Sequence, residues 1–400
     1  MEYLSTLVKN MNESATIKMA ALSRELQEKG EDVISLSVGE PDFNTSEHIK
    51  EAGIKAIKEN YSHYPPVNGF KELRQAVCQH YKETYKADYR DTQVVVSNGA
   101  KQSLANLFFA LLNEGDEVIL PTPFWVSYAE MIKMTGAKVV EVPTGVDQDY
   151  KVNISQLDAA VTDRSKLILI CNPSNPTGSV YSPDELDELA SWLAKHPNLF
   201  IVSDEIYEHI IFEGPYKSFC TDSDLADRTA IVSGVSKAYA MTGWRIGYAI
   251  APNWLSKACT KIQGQFTSGA NAMAQMASVE AILGPQNETT RMTEVFKKRK
   301  SLVLDKLSTL KWIKFNNPKG AFYLFPEIKN YFGHNIGSKV VENSEEFCMA
   351  ILETAKVALV PGQAFGAPDC MRISFATSEE NLSESMDRIV AVLKNVENNA

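Results

Sequence analysis

The richest chemistry lies in residues 231–250, Ile-Val-Ser-Gly-Val-Ser-Lys-Ala-Tyr-Ala-Met-Thr-Gly-Trp-Arg-Ile-Gly-Tyr-Ala-Ile. The stretch begins and ends apolar, and its centre holds one lysine, Lys237, among small residues. Arg245 follows eight positions on, with no acid between them. An ammonium among small, apolar and aromatic neighbours is poorly solvated and readily gives up its proton. The neutral amine is a nucleophile suited to Schiff-base chemistry. An arginine without a nearby acid calls for an anion, and a phosphate fits its fork of donors. The same letters also fit a structural lysine or one in a surface loop, so the rest of the chain has to decide.

Several other positions carry compatible chemistry. Asp204 ends the apolar run Leu199-Phe200-Ile201-Val202-Ser203. A carboxylate there is poorly hydrated and wants a cation, which a protonated pyridine ring would supply, and Tyr207 lies three residues on. Trp125 follows Val118-Ile119-Leu120 and can stack on a planar ring. Asn172-Pro173-Ser174-Asn175-Pro176-Thr177-Gly178 is stiffened by two prolines, so Asn175 can hold its amide toward a ligand. The turn Ser97-Asn98-Gly99-Ala100 feeds a helix, whose free N–H groups at Ala100 and Lys101 make an anion site. Each feature alone equally fits a plain turn, a helix cap or a packed aromatic. Together they match what pyridoxal 5'-phosphate needs: an amine, a phosphate clamp, a ring partner and a stacking face.

The elements that must position these residues follow from hydrophobic period. Lys166-Leu167-Ile168-Leu169-Ile170 has an apolar core, as central parallel strands do. Leu104, Leu107, Phe108, Leu111 and Leu112 recur at helical spacing. Short apolar runs alternating with helical stretches predict a doubly wound α/β sheet, whose ligand loops leave the carboxyl ends of the strands. Asn175, Asp204 and Lys237 all come directly after strands on this reading. A helix over 12–30 is expected, then a strand over Val33–Val38 ending in Gly39-Glu40-Pro41-Asp42-Phe43. A long helix over 287–310 leads to a smaller α+β part, where Gly320–Phe325, 357–360 and Met371–Ala376 read as strands. Alternation in the last of these sets Arg372 and Ser374 opposite Met371, Ile373 and Phe375. Thr377 with Glu380 reads as a capping box for the final helix. The expected division is 1–45 as N-terminal arm and part of the small domain, 46–286 as the large domain and 287–400 as the small one.

Gly234-Val235-Ser236-Lys237, with Ala240-Met241, Gly243 and Arg245-Ile246-Gly247, resembles the cofactor attachment site of class I pyridoxal-phosphate-dependent aminotransferases. The Gly39–Phe43 block and the Asn-Pro-x-Asn-Pro-Thr-Gly loop resemble segments of the same family. The likeness runs from Asn12 to the last helix and is closest to the bacterial-type aspartate aminotransferases. It implies the fold type I of pyridoxal-phosphate-dependent transferases and catalysis by Lys237, Asp204 and Tyr207. Ala100, Lys101, Ser236 and Arg245 would hold the cofactor phosphate, while Trp125, Asn175, Asp204 and Tyr207 would hold the ring. Tyr64, in the loop 61–69, would reach the phosphate of the neighbouring subunit in a homodimer with shared sites. Gly39, Lys101, Trp125, Asn175 and Arg372 would bind substrate, Arg372 taking the α-carboxylate. The implied reaction moves an amino group from L-aspartate or glutamate to 2-oxoglutarate or oxaloacetate. Two departures stand out. Gly234 replaces a serine of some relatives, and no arginine aligns as partner for a side-chain carboxylate. In the resembled subgroup a lysine like Lys101 does that job, with Thr16 nearby.

Composition narrows the field. An excess of ten acidic over basic residues argues against broad nucleic-acid or anionic-membrane binding. Six scattered cysteines contain no C-x-x-C, so no metal site and no disulfide framework are expected. The opening Met-Glu-Tyr-Leu-Ser-Thr-Leu lacks the basic start and long apolar run of a signal peptide, and a cytoplasmic protein is expected. Ser-x-x-Lys around Lys237, G-x-S-x-G, H-E-x-x-H and G-x-G-x-x-G are all missing. An aminotransferase preferring prephenate or aromatic substrates, or a C–S lyase, shares the lysine and the fold and stays open. A cofactor-binding transcription regulator would need a DNA-binding module that this length and charge do not accommodate.

Overall fold

Ser165–Cys171 shows how an apolar run is covered on two faces. Leu167 and Leu169 pack with Val118, Leu120, Val202 and Val232 in one core. Ile168 and Ile170 turn the other way, into a second core with Ile119, Ile201 and Ile231. In this computed structural model, which describes residues 3–399, seven strands form one sheet. They are β1 (Val94–Asn98), β2 (Glu117–Thr122), β3 (Lys138–Pro143), β4 (Ser165–Cys171), β5 (Phe200–Asp204), β6 (Thr229–Gly234) and β7 (Ile246–Ile250). Met1 and Glu2, part of the segment read for a signal peptide, and Ala400 lie outside the described residues.

Across the sheet the order is β1-β7-β6-β5-β4-β2-β3. Only β7 is reversed, pairing antiparallel with both β1 and β6. That reversal matters for the site. The carboxyl ends of β4, β5 and β6 present Cys171, Asp204 and Gly234 at one edge. Because β7 runs backwards, its first residue Ile246 pairs with Asn98 at that same edge. Arg245, just before β7, and Gly99, just after β1, are thereby neighbours although 146 positions separate them.

A further core gathers Leu36 with Met292, Phe296, Val303, Leu307, Ile373 and Leu393, among others. Around it stand the helices Asn287–Leu307, Ser344–Ala355 and Glu379–Asn399. They pack on an antiparallel sheet of Val360–Pro361, Met371–Ser374 and Tyr323–Leu324. The chain's beginning joins this region, since Ile34–Ser35 pairs in parallel with Val357–Ala358. Among the described residues no helix is long and apolar enough to cross a membrane.

Several local expectations need correction. The strand expected over Val33–Val38 is only Ile34–Ser35. Beyond it, Leu36 N–H still donates to Ala358, but the Ser37 carbonyl is taken by the Arg372 side chain and no ladder continues. Gly320–Phe325 contributes only Tyr323–Leu324 to a strand. The long helix stops at Leu307 rather than 310. The final helix begins at Glu379, and Ser378 Oγ, not Thr377, accepts the Asn381 N–H. The alternation in Met371–Ser374 puts Met371 and Ile373 in the core while Arg372 lines the cavity, and all four residues are buried.

Candidate active site

The site is built at the carboxyl edge of β4, β5 and β6. A cavity of about 500 Å³ opens there, lined by Gly39, Ala100, Lys101, Trp125, Asn175, Asp204, Tyr207, Ser236, Lys237, Arg245 and Arg372. Every site residue expected from sequence is in that lining except Tyr64, which stands 95% exposed on its loop. The lining also contains Thr16, from the helix Ala15–Glu28.

Asp204 is the floor. It is 3% exposed, and burial raises its carboxyl to about 6. The strongest counterweight is Tyr128, whose hydroxyl donates to Oδ2 at 2.6 Å, followed by the Ile206 N–H on Oδ1. Lys237 Nζ donates to the Gly39 carbonyl at 2.6 Å. Burial lowers this amine to about 8, against the opposing pull of Glu40. A lysine so placed exchanges its proton near neutral pH, as a general base must.

Two arginines face the cavity without a carboxylate partner among the described residues. Arg372 is 1% exposed. It donates from Nη1 to Asn175 Oδ1 at 3.0 Å and from Nη2 to the Ser37 carbonyl at 2.6 Å, while its buried Nε has no partner. Its guanidinium lies 4.6 Å from the Tyr323 ring centre and 5.1 Å from that of Phe365. A desolvated cation held only by neutral groups calls for an anion. Arg245 donates to the carbonyls of Thr242 and Asn98 and leans over the start of the helix Ala100–Leu111. Gly99 makes that approach possible, for a Cβ there would lie 2.3 Å from Arg245 Nη2, and its φ is +81°. Free helix N–H groups beside an arginine form an anion cup.

The departure at Gly234 has a cause in packing. Gly234 pairs with Gly247 across β6 and β7, and a Cβ on Gly234 would lie 2.7 Å from Gly247 Cα. A Cβ on Gly247 would lie 2.1 Å from the Ala100 nitrogen. These glycines let the anion cup press against the strands. Serine has no room at 234, and Ser236 lines the cavity two residues on.

Trp125 sits edge-on to Tyr128, with Lys101 Nζ 4.8 Å above its ring. Burial and Arg245 lower the Lys101 amine. The Tyr207 hydroxyl pairs with that of Tyr323 at 2.9 Å. Sequence reasoning missed Tyr128 and Tyr323. Tyr128 had a signal, since it lies three residues past Trp125 at the start of the helix Ser127–Lys133, where a buried hydroxyl needs a partner. Tyr323 had none, because it stands among the aromatic letters of an ordinary core strand.

The model of the family described as "Aminotransferase class I and II" matches residues 31–389. The chain belongs to the class I and II aminotransferases. A probable aspartate/prephenate aminotransferase of Rhizobium leguminosarum bv. phaseoli is 44% identical over 394 residues, 97% of this chain and 98% of that one. The crystal structure of an aspartate aminotransferase from Rhizobium meliloti superposes with a TM-score of 0.94 at 37% identity, covering 98% of each chain. The Thermus thermophilus aspartate aminotransferase with maleate superposes at 0.91 and 37% identity, covering 98% of this chain and all of that one. This aminotransferase therefore has the fold of the pyridoxal-phosphate-dependent transferases, fold type I, with a large mostly parallel sheet and a smaller α+β part.

Proposed function

We propose that this aminotransferase transfers the amino group of L-aspartate or glutamate to 2-oxoglutarate or oxaloacetate, with pyridoxal 5'-phosphate as cofactor. One observation carries the reading. Arg372, a buried cation without a carboxylate partner among the described residues, looks across one cavity at a neutral-prone lysine and a buried aspartate. The residues fit the cofactor. Asp204 is a buried anion awaiting a cation, which a protonated ring nitrogen would be. Ala100, Lys101, Ser236 and Arg245 surround a cup suited to a phosphate, and Trp125 offers a stacking face. Asn175 and Tyr207 complete the ring's surroundings. When bound, pyridoxal phosphate supplies a carbonyl carbon for amine attachment and an electron sink for the charge that develops at substrate Cα.

The chain's own residues do the rest. Arg372 takes the α-carboxylate by its fork of donors, and Asn175 and the Ser37 carbonyl fix the plane of that fork. Lys237 Nζ removes the proton from substrate Cα, carries it, and returns it on the way to product. Asp204 stays ionised through the hydroxyl of Tyr128 and so keeps the ring nitrogen protonated. Lys101 offers a flexible point charge to an acidic side chain without excluding bulkier ones. Prephenate and aromatic amino acids thus remain within reach. Support for a homodimer with shared sites comes from exposed apolar side chains, among them Tyr64 at 95%, Phe266 at 69% and Ile57 at 62%. Tyr64 would then serve the phosphate of the neighbouring subunit.

The test is a product balance. Purified enzyme is given L-aspartate with and without 2-oxoglutarate. Beyond one equivalent per active site, oxaloacetate should form only with 2-oxoglutarate present, mole for mole with glutamate. Release of ammonia in place of glutamate would assign the site to a lyase and refute the reading.

A further inference from the structure

His80, Glu208 and His209 lie outside the active-site cavity and take no part in its chemistry. One ring nitrogen of each histidine and a Glu208 carboxylate oxygen all fall within 4.8 Å of one another. His80 comes from the helix Lys71–Tyr85, and the other two come from the turn after β5. We propose that these three side chains form a binding site for a divalent transition-metal ion of the zinc class, with water completing its coordination.

The donor set is the first reason. Two imidazoles and one carboxylate, with an open position for water, suit zinc and its neighbours, whereas magnesium and calcium prefer oxygen alone. Spacing is the second. An ion about 2.0–2.1 Å from tetrahedral donors holds them roughly 3.4 Å apart. His80 Nε2 and Glu208 Oε2 stand 3.6 Å apart, within ion-pair range but beyond a hydrogen bond, and close to the spacing an interposed ion requires. Third, His80 Nε2 is buried with no hydrogen-bond partner among the described residues. Buried ring nitrogens are rarely left so, and a metal bond would employ this one.

The surroundings aim the donors. His80 Nδ1 meets Thr84 Oγ1 at 3.4 Å, which leaves Nε2 as the free nitrogen. Glu208 accepts the Tyr85 hydroxyl on Oε2 and the Ser233 hydroxyl on Oε1, both at 2.6 Å. A carboxylate has about four lone-pair sites, so positions remain for an ion. Thr293 Oγ1 donates to the His209 carbonyl at 3.2 Å and steadies its turn. Such outer partners orient metal ligands and raise their basicity. Access comes from a cavity of about 540 Å³ whose walls include His80, His209, Glu83 and Glu294. Two acids near the entrance favour an arriving cation. The ion would pin the helix Lys71–Tyr85 to the turn that also carries Tyr207, a structural role.

The experiment uses the holoenzyme without a histidine tag, stripped with a chelator and titrated with Co²⁺, then Zn²⁺. The expected result is one Co²⁺ per chain with visible absorption of a low-coordinate, nitrogen-ligated cobalt. Zn²⁺ should displace it and raise the melting temperature. Glu208→Gln and His209→Asn should lose the binding. Thr84→Val, at an exposed position, should keep the metal-free melting temperature and weaken binding about 10–100-fold. Anomalous diffraction from zinc-soaked crystals should place the ion between His80, Glu208 and His209. No binding by the wild type, an ion found elsewhere, or undiminished binding in Glu208→Gln overturns the proposal. Should Glu208→Gln or His209→Asn fail to fold, Thr84→Val and the diffraction peak decide it.

Discussion

Replacing Asp204 by asparagine is expected to stabilise the cofactor-free protein while disabling the enzyme. Burial raises this carboxyl from 3.8 to about 6. A folded-state value above the unfolded one means that the folded chain binds more protons between the two. Stability is therefore lost as pH rises from about 4 to about 6, and the loss is complete above that. About two pKa units at ~1.36 kcal/mol each amount to about 3 kcal/mol at neutral or higher pH. Asparagine carries no charge and escapes the penalty. Its amide nitrogen, however, replaces one of two oxygens that now accept from Tyr128 and Ile206, which gives back about 1 kcal/mol. Asp204→Asn should thus gain about 2 kcal/mol near pH 8 and lose roughly 0.5–1 kcal/mol near pH 4, where the ionisation penalty has nearly gone and the lost acceptor remains. Urea unfolding of both cofactor-free proteins, followed by tryptophan fluorescence at the two pH values, measures this. Saturating pyridoxal phosphate should reverse the ranking, because only the aspartate can pair with a protonated ring. A variant less stable than wild type near pH 8 without cofactor, or a gain that persists unchanged at pH 4, would refute the claim that Asp204 is a strained buried anion.

Four other outcomes are expected. Lys237→Ala should abolish amino transfer in a folded protein, and borohydride reduction of wild type followed by peptide mapping should label Lys237; a label on another lysine contradicts this. Uptake of pyridoxal phosphate by cofactor-free enzyme should accelerate as pH rises through about 8, since only the neutral Lys237 amine attacks, and a flat profile would deny its depressed value. Tyr128→Phe removes a hydrogen bond to a charge worth about 1.5–3 kcal/mol, so the Asp204 value should climb by ~1–2 units. Neutral-pH kcat should then fall about two- to tenfold and partly recover at higher pH; an unchanged pH profile would leave Tyr128 as packing. Lys101→Ala should cost kcat/KM for aspartate ~1–3 kcal/mol more than for an uncharged amino acid, and equal losses would assign Lys101 to the phosphate or to packing.

Legibility in the sequence was confined to features that leave a periodic or chemical trace in adjacent letters. β4 and β5 were legible because strands covered on both faces carry unbroken apolar runs at their centres, residues 167–170 and 200–202. Lys237, Asp204 and Asn175 were legible because each sits at or just past the end of such a run, and the fold gathers strand ends along one edge. The anion cup was half legible. Gly99 and Arg245 could be picked out separately, but their contact depends on the reversal of β7, which pairing alone decides. Backbone partners were invisible, since the Ser37 carbonyl that holds Arg372 and ends a strand early has no letter of its own. Tyr323 was hidden for the opposite reason, being written in the same letters as any aromatic core, whereas Tyr128 carried a signal in its place at the start of a helix just past Trp125. The final helix shows the limit of motif matching at one-residue resolution: Thr377 and Ser378 are both good caps, and the Asn381 N–H bonds the second. His80 and the Glu208–His209 pair lie 128 positions apart, beyond the reach of any ligand-spacing rule.

The parallel pairing of Ile34–Ser35 with Val357–Ala358 has a consequence in time. During synthesis the first of these segments leaves the ribosome roughly 320 residues before its partner, an interval of ~15–65 s at about 5–20 residues per second. Throughout that interval Val33 and Leu36, each at most 5% exposed in the finished molecule, lack the later part of their cover, which comes from Leu352, Ala358 and Leu359 among others. The seven-stranded sheet lies between them in the chain and can complete itself first. The growing polypeptide therefore carries a sticky, unpartnered leader past a finished sheet until the last fifty residues arrive. Translation speed over that span, and chaperones that shield short apolar segments, are expected to influence the yield of active enzyme.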